Sequence, residues 1–261
     1  MNNHLSNIHP DAKIGKNVVI EPFVTIEKEV VIGDGCWIGS GAVIKDYTTL
    51  GNNCRVFHGA VIGAIPQDLK FKGEQTFVHI GDNTTIREYA TINRGTAAKG
   101  GTSIGSNCLL MAYSHIAHDC RLQNNIIIGN LSQLAGEVDI DDFAIVSGGS
   151  LVHQFSHIGA HVMIQGGSHI SKDVPPYVMA GREPLAFCGL NLVGLRRRSF
   201  SNETINAIHE VYRILYQGNM NISQSLAYVA ENLPSSTERD YIIRFVKEST
   251  RGIIPNCLDR K

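Results

Sequence analysis

An aliphatic residue returns at every sixth position from Ile8 almost to the end of a long N-terminal stretch. The series runs through Ile14, Ile20, Ile26, Ile32, Ile38, Ile44, Leu50, Val56 and Ile62, resumes at Ile80, Ile86 and Ile92, and continues from Ile104 to Ile170. Of the 28 positions in this phase between 8 and 170, 25 are Ile, Leu or Val. Two residues before each sits something small or β-branched, as at Val18, Ala42, Cys54, Ala90, Ser114 and Ala144. A spacing of two inside each hexad describes a short strand with two inward side chains, whereas a period of six drifts around a helix. Three hexads then form one coil of a triangular prism of parallel strands, with coils about 4.8 Å apart. Gly often follows the aliphatic residue (Gly15, Gly33, Gly51, Gly129) and is expected to supply a turn conformation closed to most side chains.

The phase breaks between Ile62 and Ile80 and between Ile92 and Ile104. Both gaps are multiples of six, so register is expected to survive, with loop excursions near 64–79 and 93–103. The first, Ala64 to Thr76, is charged and contains Pro and Gly; long loops on a rigid solenoid usually carry function. Asp173-Val174-Pro175-Pro176 is read as the closure of the prism. From Asn191 the periodicity turns helical: Ile205, Ile208, Val211, Tyr212 and Leu215 share one face, Ser223 is read as opening a second helix, and Ser235 with Glu238 as a capping box for a third. The predicted organisation is a solenoid over 1–190 and a helical segment over 191–261.

Composition narrows the function. With 24 acidic against 23 basic residues, the balance argues against binding nucleic acid through bulk charge, and 43% hydrophobic with 18% charged residues excludes a disordered chain. There is no apolar run of about 18 residues to span a membrane, and Met1 to Pro10 has no secretory pattern, so a cytoplasmic protein is expected. Cys36, Cys54, Cys108 and Cys120 fall at the inward small position and read as buried hydrophobes rather than disulfide or zinc cysteines.

The solenoid also lets distant residues be placed together. Residues 18 apart stack, so His118, Gly136 and Gln154 line one corner within about 10 Å, with His153 beside them and Asp119 able to orient the His118 ring. This corner is either a site or a row of exposed turn residues. His115 and His169 share a column but lie three coils apart, so a zinc site within one chain is not expected. Arg196-Arg197-Arg198 is either a solvated face or a phosphate-binding group.

The hexads resemble those of left-handed parallel β-helix acyltransferases; the left hand comes from that resemblance, since the general crossover rule favours the right. The stretches Gln67–Glu74, Ile80–Glu88, Arg94–Thr96, Ala117–Cys120 (AHDC), Val152–Phe155 (VHQF), Ile158–Met163, Asp173–Val178, Gly194–Arg198 and Ser249–Gly252 narrow it to the UDP-N-acetylglucosamine O-acyltransferases of lipid A synthesis. The resemblance implies a mainly β fold, a left-handed parallel β-helix with a C-terminal α-helical domain. It implies transfer of an (R)-3-hydroxyacyl group from acyl carrier protein to the 3-hydroxyl of UDP-N-acetylglucosamine by a homotrimer. No cofactor is implied beyond the carrier's own phosphopantetheine. His118 matches the general base, Asp119 its orienting partner and Gly136 the backbone oxyanion donor. His115, His153 and Gln154 match substrate-contacting positions, Asp68 and Lys70 sugar-nucleotide contacts, Asn191, Arg197 and Arg198 the nucleotide end, and Gly166 the stop of the acyl-chain ruler. Glu137 and Asn93 depart from the pattern, standing where relatives carry histidine.

Three other readings compete with this one. An enzyme acylating a 2-amino group usually carries an extra N-terminal domain, and with hexads beginning at Ile8 none is expected here. A zinc hydratase on the same solenoid is separated by metal analysis. A purely structural solenoid fits poorly with the His118 corner, the charged excursion and the arginine triplet.

Overall fold

The computed structural model describes residues 5–217 and 220–257; Met1 and Lys261, the outer ends of the two predicted segments, lie outside the described residues. Two-residue strands recur at hexad spacing, beginning with Asn7–Ile8, Lys13–Ile14 and Val19–Ile20 and continuing to His169–Ile170. Successive strands fall on successive faces and build three sheets of 9, 8 and 10 strands, here named first, second and third in that order. Ile62 pairs with Ile92, Ile92 with Ile116 and Ile116 with Leu134, at separations of 30, 24 and 18 residues. The excursions therefore insert 12 and 6 residues into single coils, and the hexad phase passes through both unchanged.

The hexad aliphatics and their partners two residues earlier fill the prism. Val24, Ile26, Cys36, Ile38, Leu110 and Ile128 are at most 1% exposed, and burying each large aliphatic side chain contributes about 1.5–3 kcal/mol. Many of the polar side chains inside bond to nearby carbonyls, although the buried hydroxyls of Thr48, Ser114 and Ser156 have no partner among the described residues. The thiols of Cys36, Cys54, Cys108 and Cys120 reach carbonyls of Gly51, Gly81, Gln123 and Ala135 at 3.1–3.2 Å. Ser150 and Ser168 donate to the carbonyls of Ser147 and Gln165. Burial pushes the Cys120 thiol up to about 12, so it is a packing group and not a nucleophile.

The corners correct one expectation. The glycines after the hexad aliphatic residue, Gly63 apart, do not have a positive φ. Positive φ falls two positions later, at Asn17, Phe23, Asn53, Tyr113, Asp119 and Phe143 among others. The glycines answer a different need, close approach between coils: a Cβ on Gly33 would lie 2.6 Å from the Gly51 carbonyl, and one on Gly129 only 2.3 Å from Gly148 N.

Beyond Pro176 the third sheet runs on. Val178–Gly181 pairs parallel with Met163–Ile164, and Ala186–Leu190 folds back antiparallel, so the DVPP segment does not end the sheet. Among the described residues four helices follow: α1 (Leu192–Arg197), α2 (Asn202–Gln217), α3 (Ile222–Asn232) and α4 (Thr237–Glu248). The face foreseen for α2 is buried, with Ile214 added. Two caps differ from expectation. The cap of α3 is Asn221, in a capping box with Gln224, and not Ser223; that of α4 is Ser236, and not Ser235, whose hydroxyl donates to Asp240 instead. Tyr212 anchors α2 through its hydroxyl on the Pro176 carbonyl, and the chain returns to the prism where Ile253 pairs with Asp173. Among the described residues no helix is long and apolar enough to cross a membrane.

Candidate active site

The corner between the first and second sheets gathers the candidate catalytic residues. His118 follows Ile116 by two, and the register His115 to Gln133 to Leu151 places Gly136 and Gln154 on the next two coils. A Cβ added to Gly136 would lie 2.5 Å from both Cε1 and Nε2 of His118, so the imidazole lies flat against bare backbone. The Glu137 N–H donates to the His118 carbonyl at 2.9 Å, and the Gly136 carbonyl accepts from Phe155 N, while no group of the described chain accepts the Gly136 N–H.

His118 is 8% exposed and lies between two carboxylates. Its Nδ1 is 2.9 Å from Oδ2 of Asp119, which is fully buried. Its Nε2 is 3.8 Å from Oδ2 of Asp68, too far for a hydrogen bond. Asp68 comes from the first excursion. Arg94 lies beneath that loop with its guanidinium 5.6 Å from the rings of Tyr47 and Phe71 and paired with Asp46 at 3.3 Å. Asn93 is a second tie: its amide Nδ2 donates to the Ile65 carbonyl at 3.2 Å.

His115 hydrogen-bonds through Nδ1 to the Thr91 hydroxyl at 2.7 Å. Burial, then the charge of His118, lowers its pKa, so it stays neutral near neutral pH. His115, His118, Gly136 and Asn93 line a cleft of about 440 Å³ that also takes in Gln67, Gln133 and Gln154. A tied Nδ1 beside an Nε2 that faces the cleft, with a backbone N–H one coil away, equips this corner to take a proton and to hold a developing oxyanion. Among the described residues no three His, Cys, Asp or Glu side chains converge as a metal-ligand set.

Comparison with known proteins points the same way. The family model described as UDP N-acetylglucosamine O-acyltransferase, domain 2, matches residues 173–254, and that of the bacterial transferase hexapeptide (six repeats) matches residues 29–64 and 101–136. An acyl-[acyl-carrier-protein]–UDP-N-acetylglucosamine O-acyltransferase of Thermodesulfovibrio yellowstonii is 44% identical over 247 residues, 94% of this chain and 96% of the relative. The chain belongs to that acyltransferase family. Among solved structures, a UDP-N-acetylglucosamine acyltransferase of Bacteroides fragilis superposes with TM-score 0.96 at 55% identity, covering 97% of this chain and 100% of the other. One from Francisella novicida superposes with TM-score 0.95 at 38% identity, covering 98% and 94%.

Within this acyltransferase, one chain assembles only some of the residues singled out from sequence. His118, Asp119, Gly136, His115, Gln154 and Asp68 gather at the one corner. His153 is exposed and turns its Nδ1 to the Gln154 carbonyl, and Lys70 is exposed with only its backbone N–H on Asp68. Asn191 and α1 sit at the corner between the second and third sheets. There Asn191 caps α1 through Gly194 N and donates to the His161 carbonyl. Arg198 is held by the carbonyls of Gly194 and Phe143, with its guanidinium 4.9 Å over the Phe143 ring, and Arg197 stays exposed. Gly166 lies at the remaining corner, between the third and first sheets, facing the Gly148 carbonyl. Sequence reasoning missed Gln67 and Gln133 as lining residues. The 18-residue stacking rule points to Gln133 over His115, but no such rule reaches Gln67 inside an excursion.

Proposed function

We propose that the enzyme transfers an (R)-3-hydroxyacyl group from acyl carrier protein to the 3-hydroxyl of UDP-N-acetylglucosamine, with His118 as general base. The observation that carries this reading is the His118 imidazole, tied at Nδ1 by buried Asp119 and stacked on Gly136 at the edge of the cleft. Nε2 takes the 3-hydroxyl proton as the oxygen attacks the thioester carbonyl. The tetrahedral oxyanion accepts the Gly136 N–H, and collapse breaks the C–S bond, the thiolate leaving with the proton returned by His118. Asp68, His115 and Gln154 position the sugar, and the acyl donor arrives on the carrier's phosphopantetheine, so no separate cofactor is needed.

The nucleotide-binding roles of Asn191, Arg197 and Arg198 and the ruler role of Gly166 belong to corners away from His118. A homotrimer reconciles them, because a neighbouring prism can bring its own corner to face the His118 cleft.

The test is acyl transfer by wild type and His118→Ala across a set of 3-hydroxyacyl carrier proteins. A loss of about 10²–10⁴-fold with unchanged melting is expected for the mutant; full activity in His118→Ala would end the general-base reading. Sedimentation gives the oligomeric state. Mixing His118→Ala with Arg197→Ala chains should recover transfer if each site draws on two chains.

A further inference from the structure

Asp119 is fully buried, and a carboxylate withdrawn from water needs its lone pairs filled. Besides His118, the donors come from one residue in the second excursion. The Thr96 N–H lies 3.0 Å from Oδ1 and 3.0 Å from Oδ2, and the Thr96 hydroxyl is 2.6 Å from Oδ2. That hydroxyl also accepts the Ala98 N–H at 3.1 Å. One lone pair being occupied in this way, its own proton points at Asp119. Oδ2 is then an acceptor, and His118 Nδ1, 2.9 Å from the same oxygen, must be the protonated nitrogen. The lone pair is left on Nε2, at the cleft.

The placement of Thr96 is itself fixed by the first excursion. Thr76 donates its hydroxyl to the Gly95 carbonyl at 2.5 Å, and Glu74 accepts the Ala97 N–H at 3.1 Å. Space is tight as well: a Cβ on Gly95 would stand 2.7 Å from Asp119 Oδ1. The second excursion thus holds the carboxylate from behind, braced by the first, while Asp68 faces the ring from the front.

We infer that Thr96 is a positioning residue for the acyl transfer: its hydroxyl holds Asp119 as an acceptor and thereby fixes His118 in the tautomer that leaves Nε2 free to take a proton. The inference rests on the general-base reading of His118. Without the hydroxyl, Asp119 is free to turn about its Cβ–Cγ bond, and the imidazole gains access to the tautomer protonated on Nε2, which cannot act as a base.

Thr96→Val keeps the branched shape and the backbone N–H and removes only the hydroxyl; Thr96→Ser restores it. In steady-state transfer, Thr96→Val should lower kcat about tenfold to hundredfold, the worth of one hydrogen bond to a charged group, with KM for the sugar nucleotide unchanged. Thr96→Ser should recover most of the rate, and Thr96→Val should add nothing in an Asp119→Asn background. Nitrogen-15 NMR of histidine-labelled wild type reads the tautomer directly and keeps the test open if Thr96→Val fails to fold; an Nε2-protonated His118 would overturn the inference. So would a wild-type kcat in Thr96→Val alongside an inactive His118→Ala, which leaves the base in place. A loss shared equally by Val and Ser, or seen in KM alone, would assign Thr96 to loop packing and overturn it too. An active His118→Ala would overturn the base reading itself, an outcome distinct from all of these.

Discussion

His118 and His157 each sit on the prism with an aspartate oxygen 2.9 Å from one ring nitrogen, yet their surroundings part them. Around His157, Asp141 Oδ2 takes both the ring Nε2 and the Tyr241 hydroxyl, and that hydroxyl in turn accepts the Ala160 N–H at 2.9 Å. The ring lies 4.4 Å from that of Phe245 on α4, and the backbone N–H is taken by Asp173. The cleft beside it is larger, about 580 Å³ against 440 Å³. Cavity size therefore does not single out the His118 corner. At His118 the tied nitrogen points inward and the other faces the cleft beside bare backbone, whereas at His157 the equivalent bonds fasten α4 to the prism.

If this division is right, substitutions at the two corners should fail in different assays. Gly136→Ala, whose Cβ would collide with His118 at 2.5 Å, should cut transfer about hundredfold by displacing the ring, with little change in melting. Equal activity would break the comparison at its first corner. Asp141→Ala should do the reverse, costing about 1–3 kcal/mol in denaturant unfolding as the His157 and Tyr241 bonds are lost, with kcat retained.

Titration sharpens the contrast further. Burial opposes the charged form of His157, but the hydrogen bond and charge of Asp141, with Asp139 and Asp173 behind it, outweigh burial and raise its pKa. A raised value means the stabilisation is complete below the ordinary value of 6.5 and is lost as pH climbs through the folded one. Denaturation curves across that window should flatten in His157→Gln. His161 has the opposite sign: burial, then the charge of Arg198, lowers it to about 4 from 6.5, so stability falls as pH drops between those values. Its ring is stacked between Phe143 and Tyr177, and its buried Nδ1 has no partner among the described residues. His161→Phe should keep the stack, remove the acid-side slope and add about 1 kcal/mol near pH 5, the smallest effect of the four.

The period of six made the prism legible because each coil repeats one physical requirement, two inward side chains per face. The same arithmetic brought His118, Gly136 and Gln154 together, since stacking converts a separation of 18 into contact. It could not reach Thr96 or Gln67, because an excursion leaves the register and its path depends on bonds such as Thr76 to Gly95. Helix starts shifted by one or two positions where neighbouring polar residues compete, as with Ser235 and Ser236. Assigning the corner glycines to φ rather than to coil spacing was an error of mechanism; sequence shows that a glycine is present and not which constraint demands it. Arg198 was legible as a charge, but its engagement with Phe143 and Gly194 was not, because that depends on where α1 docks.

The register has a consequence for how the chain reaches this shape. Strand pairing in the regular coils joins residues only 18 apart, and the excursions raise that to 30 at most. Each completed coil therefore presents a finished template to the next, and folding can begin anywhere along the prism and spread as a zipper, without one distant closure to await. The return of Ile253 to Asp173 is of another kind, closing a loop of about eighty residues once α1 to α4 have formed. The candidate corner lies wholly within the zipper, so its strand pairing does not depend on that distant closure.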